Sequence, residues 1–167
     1  MKRKSNALFL TRGAVIAAIY VTLTYLSHVF GLASGVVQLR LSEALCVLPA
    51  FLPEAVPGLT IGCLISNLVT GCAPWDVVFG ALATFLGAVG ARLFARLANK
   101  SRLLAFIIPL PTVISNTLII PFVLRYAYGA PDALPFMMLT VGAGELLSAL
   151  VLGMLLYFSI KKIFGRK

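Results

Sequence analysis

The sequence predicts an all-α integral membrane protein: one transmembrane domain over residues 1–167, six helices in a compact bundle, both termini on the cytoplasmic side. Three observations carry that expectation. Of the 167 residues, 60% are apolar and only 11% charged, with a mean hydropathy of +1.03, whereas a soluble domain carries about one-quarter charged residues. The apolar residues gather in runs near the roughly 17–25 residues that cross a hydrocarbon core about 30 Å thick. Twelve of the 14 basic residues are clustered: Lys2, Arg3, Lys4 and Arg12 at the start, Arg92, Arg96, Lys100 and Arg102 in the middle, Lys161, Lys162, Arg166 and Lys167 at the end. Each cluster flanks an apolar run, so the net charge of +9 reads as an orientation signal that places all three on the cytoplasmic face beside anionic lipid. Nucleic-acid binding is the weaker reading of that charge.

The first span is expected over Leu8–Phe30. Its basic start resembles a signal peptide, but a full-length apolar run follows with no small-x-small cleavage site, so it is read as a retained span. It carries small residues four apart twice, Gly13/Ala17 and Ala14/Ala18. The fourth span is expected over Trp75–Ala91, the fifth over Leu103–Leu124, interrupted by Pro109, Pro111 and Pro121, and the last over Leu134–Ile160. The ladder Ala83, Gly87, Ala91 sets small residues on one face for close helix packing. Between the first and fourth spans, Ala33–Cys72 must begin and end outside. It forms either two short spans, Val36–Leu52 and Ala55–Gly71 meeting near Pro53-Glu54, or a re-entrant hairpin. No length remains for a soluble domain, and no G-x-x-x-x-G-K-[ST] loop occurs, so energy from ATP is expected from a partner. The three cysteines, Cys46, Cys63 and Cys72, lack metal-ligand spacing and read as small core residues.

Polar groups inside the apolar runs are the candidates for chemistry. Glu145 lies well within the last span, where a charged carboxylate costs several kcal/mol unless it faces the interior; Ala149 and Gly153 follow on the same face. It can bind a ligand, carry a proton or bond a neighbouring helix. Arg40 and Glu43, three apart, either pair with each other or, with Gln38 and Ser42, give an otherwise apolar segment a polar outer edge. Asn67 and Asn116 either glue helices or recognise a planar solute, since an amide both donates and accepts. Trp75 is an interfacial anchor or a stacking platform, and Asp76 beside it a candidate N-cap. His28 reads as an outer-interface residue. One histidine, no metal-spaced cluster and no G-x-S-x-G elbow argue against an enzyme.

Four stretches then carry a resemblance. Gln38-Leu-Arg-Leu-Ser-Glu-Ala-Leu45 with Pro49, Gly62-Cys-Leu-Ile-Ser-Asn-Leu68, Trp75-Asp-Val-Val-Phe-Gly-Ala-Leu-Ala-Thr84 and Gly144-Glu-Leu-Leu147 resemble the QueT-type proteins. These are queuosine-precursor transporters, substrate-binding S components of energy-coupling factor (ECF) importers in the bacterial plasma membrane. The resemblance implies an S-component-like bundle binding a 7-deazaguanine derivative through Arg40, Glu43, Asn67, Trp75, Asp76, Asn116 and Glu145. It implies partners too: a transmembrane coupling subunit and two ATPase subunits, with no cofactor or metal in this chain and ATP hydrolysed by the partners. Ala14 and Ala18 resemble the A-x-x-x-A docking motif of S components. The competing expectations are a self-sufficient proton-coupled permease and a membrane scaffold without ligand.

Overall fold

The computed structural model of the chain describes residues 2–33, 38–98 and 101–164, and no side chain before Asn6 or after Ile163. The side chains of Lys2, Arg3 and Lys4, then Lys100, Arg166, Lys167 and the start of the expected second span at Val36, lie outside the described residues. The elements are α1 (Lys2–Val29), a 3₁₀ helix (Leu41–Ala50), α2 (Ala55–Val69), α3 (Pro74–Ala98), a 3₁₀ turn (Leu103–Ile107), α4 (Leu110–Ala127), α5 (Leu134–Glu145), a π-helical stretch (Leu146–Leu152) and α6 (Gly153–Phe164). No strand occurs among the described residues.

Four segments are long and apolar enough to cross a membrane: Asn6–Val29, Pro74–Ala98, Leu103–Ala127 and Leu134–Ile163. The two expected short spans are shorter still. The 3₁₀ helix has 10 residues and extends about 20 Å at roughly 2.0 Å per residue; α2 has 15 and extends about 22 Å at 1.5 Å per residue. Both fall short of a core of about 30 Å. A 3₁₀ run this long is uncommon. It follows an extended Arg40 and contains Pro49, which has no backbone N–H to donate. It packs against α1, α2, α3, the π-helical stretch and α6, so this short apolar helix lies central to the bundle.

Close backbone approach holds the long helices around it. A Cβ on Gly58 would lie 2.7 Å from the Gly13 carbonyl oxygen, and one on Gly62 would lie 3.1 Å from the Ala17 Cα, so α1 and α2 meet through Gly13 and Ala17. The neighbouring pair, Ala14 and Ala18, faces outward and is exposed. The predicted ladder of α3 turns to α4: Ser115 Oγ donates to the Ala83 carbonyl at 2.9 Å, and a Cβ on Gly87 would lie 2.5 Å from Thr112 Oγ1. At these distances dispersion between backbones replaces side-chain interdigitation. The break at Ile108-Pro109 separates the 3₁₀ turn from α4; Pro111 sits in the first turn of α4, and the helix continues through Pro121, where an interruption was expected. α3 runs seven residues beyond its expected end at Ala91, to Ala98.

The basic residues gather at one end. Arg12 pairs with Glu54 at 3.1 Å, Arg92 Nη1 donates to the Pro49 carbonyl at 3.0 Å, Phe51 and Tyr157 pack with ring centroids 5.1 Å apart, and Lys161 lies 5.6 Å from the Tyr157 ring centroid. The Pro49–Glu54 turn is therefore surrounded by residues from all three basic clusters. At the other end α2 and α4 stop in left-handed turns, with Gly71 at φ 72° and Gly129 at φ 66°, a conformation that costs a side chain about 1–2 kcal/mol.

Candidate ligand-binding site

The polar residues of the apolar segments converge in the half of the bundle away from that basic end. An outer chamber of about 370 Å³ is lined by Thr24, His28, Gln38, Arg40, Asn67, Thr70, Cys72, Asp76 and Tyr128, among others, a volume within the usual range of about 300–1,000 Å³ for small-molecule sites. Beneath it a recess of about 20 Å³ is lined by Gln38, Arg40, Glu43, Gly80, Thr84, Asn116 and Glu145. Gln38, Arg40 and Ile120 belong to both, so the two form one funnel narrowing toward the carboxylates.

Each wall is placed by backbone packing. The Gln38 carbonyl lies against α5 where a Cβ on Gly144 would come within 1.9 Å of it, so glycine there brings the Gln38–Arg40 segment onto the helix that carries Glu145. Gly80 does the same for α2 and α3: a Cβ would sit 2.8 Å from Asn67 Nδ2 and 3.3 Å from Asp76 Oδ1. Asn67 Nδ2 donates to the Asp76 carbonyl at 3.1 Å. The π-helical stretch begins directly after Glu145, and single π turns inside α-helices often accompany functional sites.

Glu43, Asn67, Asp76, Asn116 and Glu145 are each less than one-tenth exposed, yet their hydrogen bonding is incomplete. Glu43 Oε1 accepts from the Tyr20 hydroxyl. Asp76 Oδ2 accepts from Tyr128 Oη at 3.0 Å, and Tyr128 Oη in turn accepts from the Ala73 amide at 2.9 Å. Burial pushes the Tyr128 phenol up, with the Asp76 carboxylate adding to it, so the hydroxyl stays protonated and donates. Asp76 Oδ1 and Glu145 Oε2 have no hydrogen-bond partner among the described residues. Of the two alternatives for Arg40 and Glu43, mutual pairing does not occur: the ion pair among the described residues is Arg12–Glu54, and the 3₁₀ winding with an extended Arg40 removes the α-helical i, i+3 geometry that would join them. Three buried carboxylates thus surround one guanidinium without being bonded to it, and a buried polar atom without a partner costs about 1–3 kcal/mol.

Six of the seven expected ligand residues line this funnel; Trp75 does not. It is 63% exposed, stacks on Phe79 at 6.0 Å and lines a separate apolar groove of about 430 Å³ with Leu82, Leu118, Phe122 and Tyr126. Successive residues on a helix point about 100° apart, so burying Asp76 turns Trp75 outward. Asp76 itself lies inside the first turn of α3, not at its cap. The aromatic face in the chamber belongs to Tyr128, which the sequence reading missed, as it missed Tyr20 and Thr84; a tyrosine near a span end is indistinguishable from an interfacial anchor by sequence.

The family model described as QueT transporter matches residues 10–162. The queuosine precursor transporter QueT of Lactococcus lactis subsp. cremoris (strain MG1363) is 34% identical over 96 residues, which cover 56% of this chain and 56% of that protein. The chain thus aligns with just over half the length of that curated relative. No solved structure matches.

Proposed function

The chain belongs to the QueT transporter family, and from that premise we propose that it is the substrate-binding S component of an ECF-type importer that takes up a queuosine precursor or related 7-deazaguanine. The observation that carries the reading is the withheld pairing in the funnel: Glu145 Oε2 and Asp76 Oδ1 lack partners among the described residues in the same funnel as Arg40. Such an arrangement is preorganised for a solute that supplies both donors and acceptors. A guanine-like edge offers two parallel N–H groups to one carboxylate and an oxo group to Arg40 or an amide, and Tyr128 offers the ring face. Glu145 and Glu43 sit deepest, so they take the donor edge.

In this reading the chain crosses the bacterial plasma membrane six times, the 3₁₀ helix and α2 forming the two short crossings. The basic end faces the cytoplasm and the funnel opens outward. Ala14 and Ala18, exposed on α1, dock on the coupling subunit, and two ATPase subunits supply the energy. A proton-coupled permease would instead use Glu145 as its proton carrier.

Purification of the protein from its native membrane with associated subunits, followed by mass spectrometry of bound small molecules, tests the proposal. A 7-deazaguanine together with ATPase subunits is the expected result. Uptake by the chain alone in proteoliposomes, driven by a proton gradient and indifferent to ATP, would refute it.

A further inference from the structure

The Tyr20 hydroxyl reaches Glu43 of the recess from α1, the helix whose Thr24 and His28 line the outer chamber. Tyr20 is 1% exposed, and its hydroxyl donates to Glu43 Oε1. The same face of α1 makes two more bonds to the segment carrying Glu43: Thr24 Oγ1 donates to Ser42 Oγ at 2.8 Å, and Ser27 Oγ accepts from the Leu41 amide at 2.9 Å. The side chain is wholly enclosed, among the largest of the fully buried ones, and α2 packs on α1 at this point, where a Cβ on Gly62 would lie 2.8 Å from the Tyr20 Cβ. No described residue donates to the other Glu43 oxygen, and Glu43 lines the recess.

We propose that Tyr20 is a positioning residue for solute recognition: by fixing one oxygen of Glu43 it aims the carboxylate's other oxygen at the recess. The inference rests on the reading of the funnel as the ligand site. A charge-assisted O–H···O⁻ bond is about twice as strong as a neutral one. Held in this way, the carboxylate cannot rotate to join Arg40 or fold against Asn116, either of which would satisfy it internally and leave the ligand's donors without an acceptor. The lost freedom is spent in folding and not in binding.

Tyr20→Phe keeps the ring and its packing and deletes the donor. Calorimetry with 7-deazaguanine is expected to show roughly tenfold weaker binding in this variant, but less than a twofold further loss when it is added to Glu43→Gln, because both changes act through one carboxylate. Equal losses in the two backgrounds, or wild-type affinity in Tyr20→Phe, would overturn the assignment. A second measurement needs no ligand. Dicyclohexylcarbodiimide reacts with protonated carboxyl groups in apolar surroundings, and loss of a donor to the charged form favours protonation, so Glu43 is expected to be modified several-fold faster in Tyr20→Phe. An unchanged rate overturns the proposal even if the wild type binds no deazaguanine, a result that by itself defeats only the assigned ligand. Ser27→Ala loosens the same segment without touching Glu43, and it is expected to lower the thermal midpoint while leaving the labelling rate unchanged. Faster labelling there as well would show general loosening and refute positioning.

Discussion

The narrowest tolerance in the site is at Gly144, and one methyl group tests it. In Gly144→Ala the new Cβ would be placed 1.9 Å from the Gln38 carbonyl oxygen, where ordinary contact begins near 3.4 Å. The Gln38–Arg40 segment must then retreat by roughly 1.5 Å, since the obstacle is backbone and cannot rotate aside. Alanine itself favours the helix by about 1 kcal/mol over glycine, which partly offsets the overpacking cost of about 1–3 kcal/mol, so the folded protein is expected to survive. The funnel does not. Gln38 and Arg40 line both of its compartments, and withdrawing them from the carboxylates is expected to weaken 7-deazaguanine binding by about 10–100-fold, or roughly 1.4–2.8 kcal/mol. Calorimetry on the solubilised variant, with its thermal midpoint measured alongside, reads both effects. Gly142→Ala is the internal control, because its Cβ would meet a Thr117 side chain at 3.3 Å on the apolar groove away from the funnel. Wild-type affinity in Gly144→Ala would refute the claim that the Gln38 segment is a wall of the site.

Other expectations follow from burial and contact. Glu145→Gln exchanges a charged acceptor for an amide and is expected to cost about 1.5–3 kcal/mol of binding, roughly 10–100-fold, by calorimetry. Cys72 lines the chamber while Cys46 and Cys63 are buried, so a membrane-impermeant maleimide added outside is expected to label the protein at Cys72, and ligand to slow that labelling; mass spectrometry locates the adduct. Trp75→Ala is expected to leave affinity within about twofold, because the indole faces away from the funnel, while thermal stability in membranes falls as an interfacial anchor is lost. Ala14→Leu/Ala18→Leu is expected to preserve ligand affinity and abolish co-purification with the coupling and ATPase subunits, since leucine at these exposed positions wedges helices apart.

The long helices were legible because length and hydropathy alone define a span, and most of the funnel's lining was legible because acids and amides are scarce in the apolar runs. Glu145 was visible for a simple reason: a carboxylate in an apolar run has to face the interior. Side-chain direction was not so readily read. In a soluble helix polarity marks the outer face, but in a membrane helix both faces are apolar, so nothing local tells Gly13/Ala17 from Ala14/Ala18, and a tryptophan at a span end serves equally as an anchor or a stacking platform. Only the packing of α1 on Gly58 and Gly62 separates the two small-residue pairs. The 3₁₀ winding of Leu41–Ala50 and the π-helical stretch after Glu145 are tertiary effects, with hydropathy patterns no different from those of α-helices. Tyr20 was hidden for the same reason: it reads as one more apolar residue in α1 until its hydroxyl is seen on Glu43.

The shortness of the central 3₁₀ helix has a consequence for what the ligand is to this protein. A helix of about 20 Å is shorter than a core of about 30 Å, and the chamber lies beside Arg40, where that helix starts. On the proposed reading, a solute in that chamber continues the column of the short helix and touches the long helices from the inside as a side chain would, so that its capture and the completion of the packing are a single event.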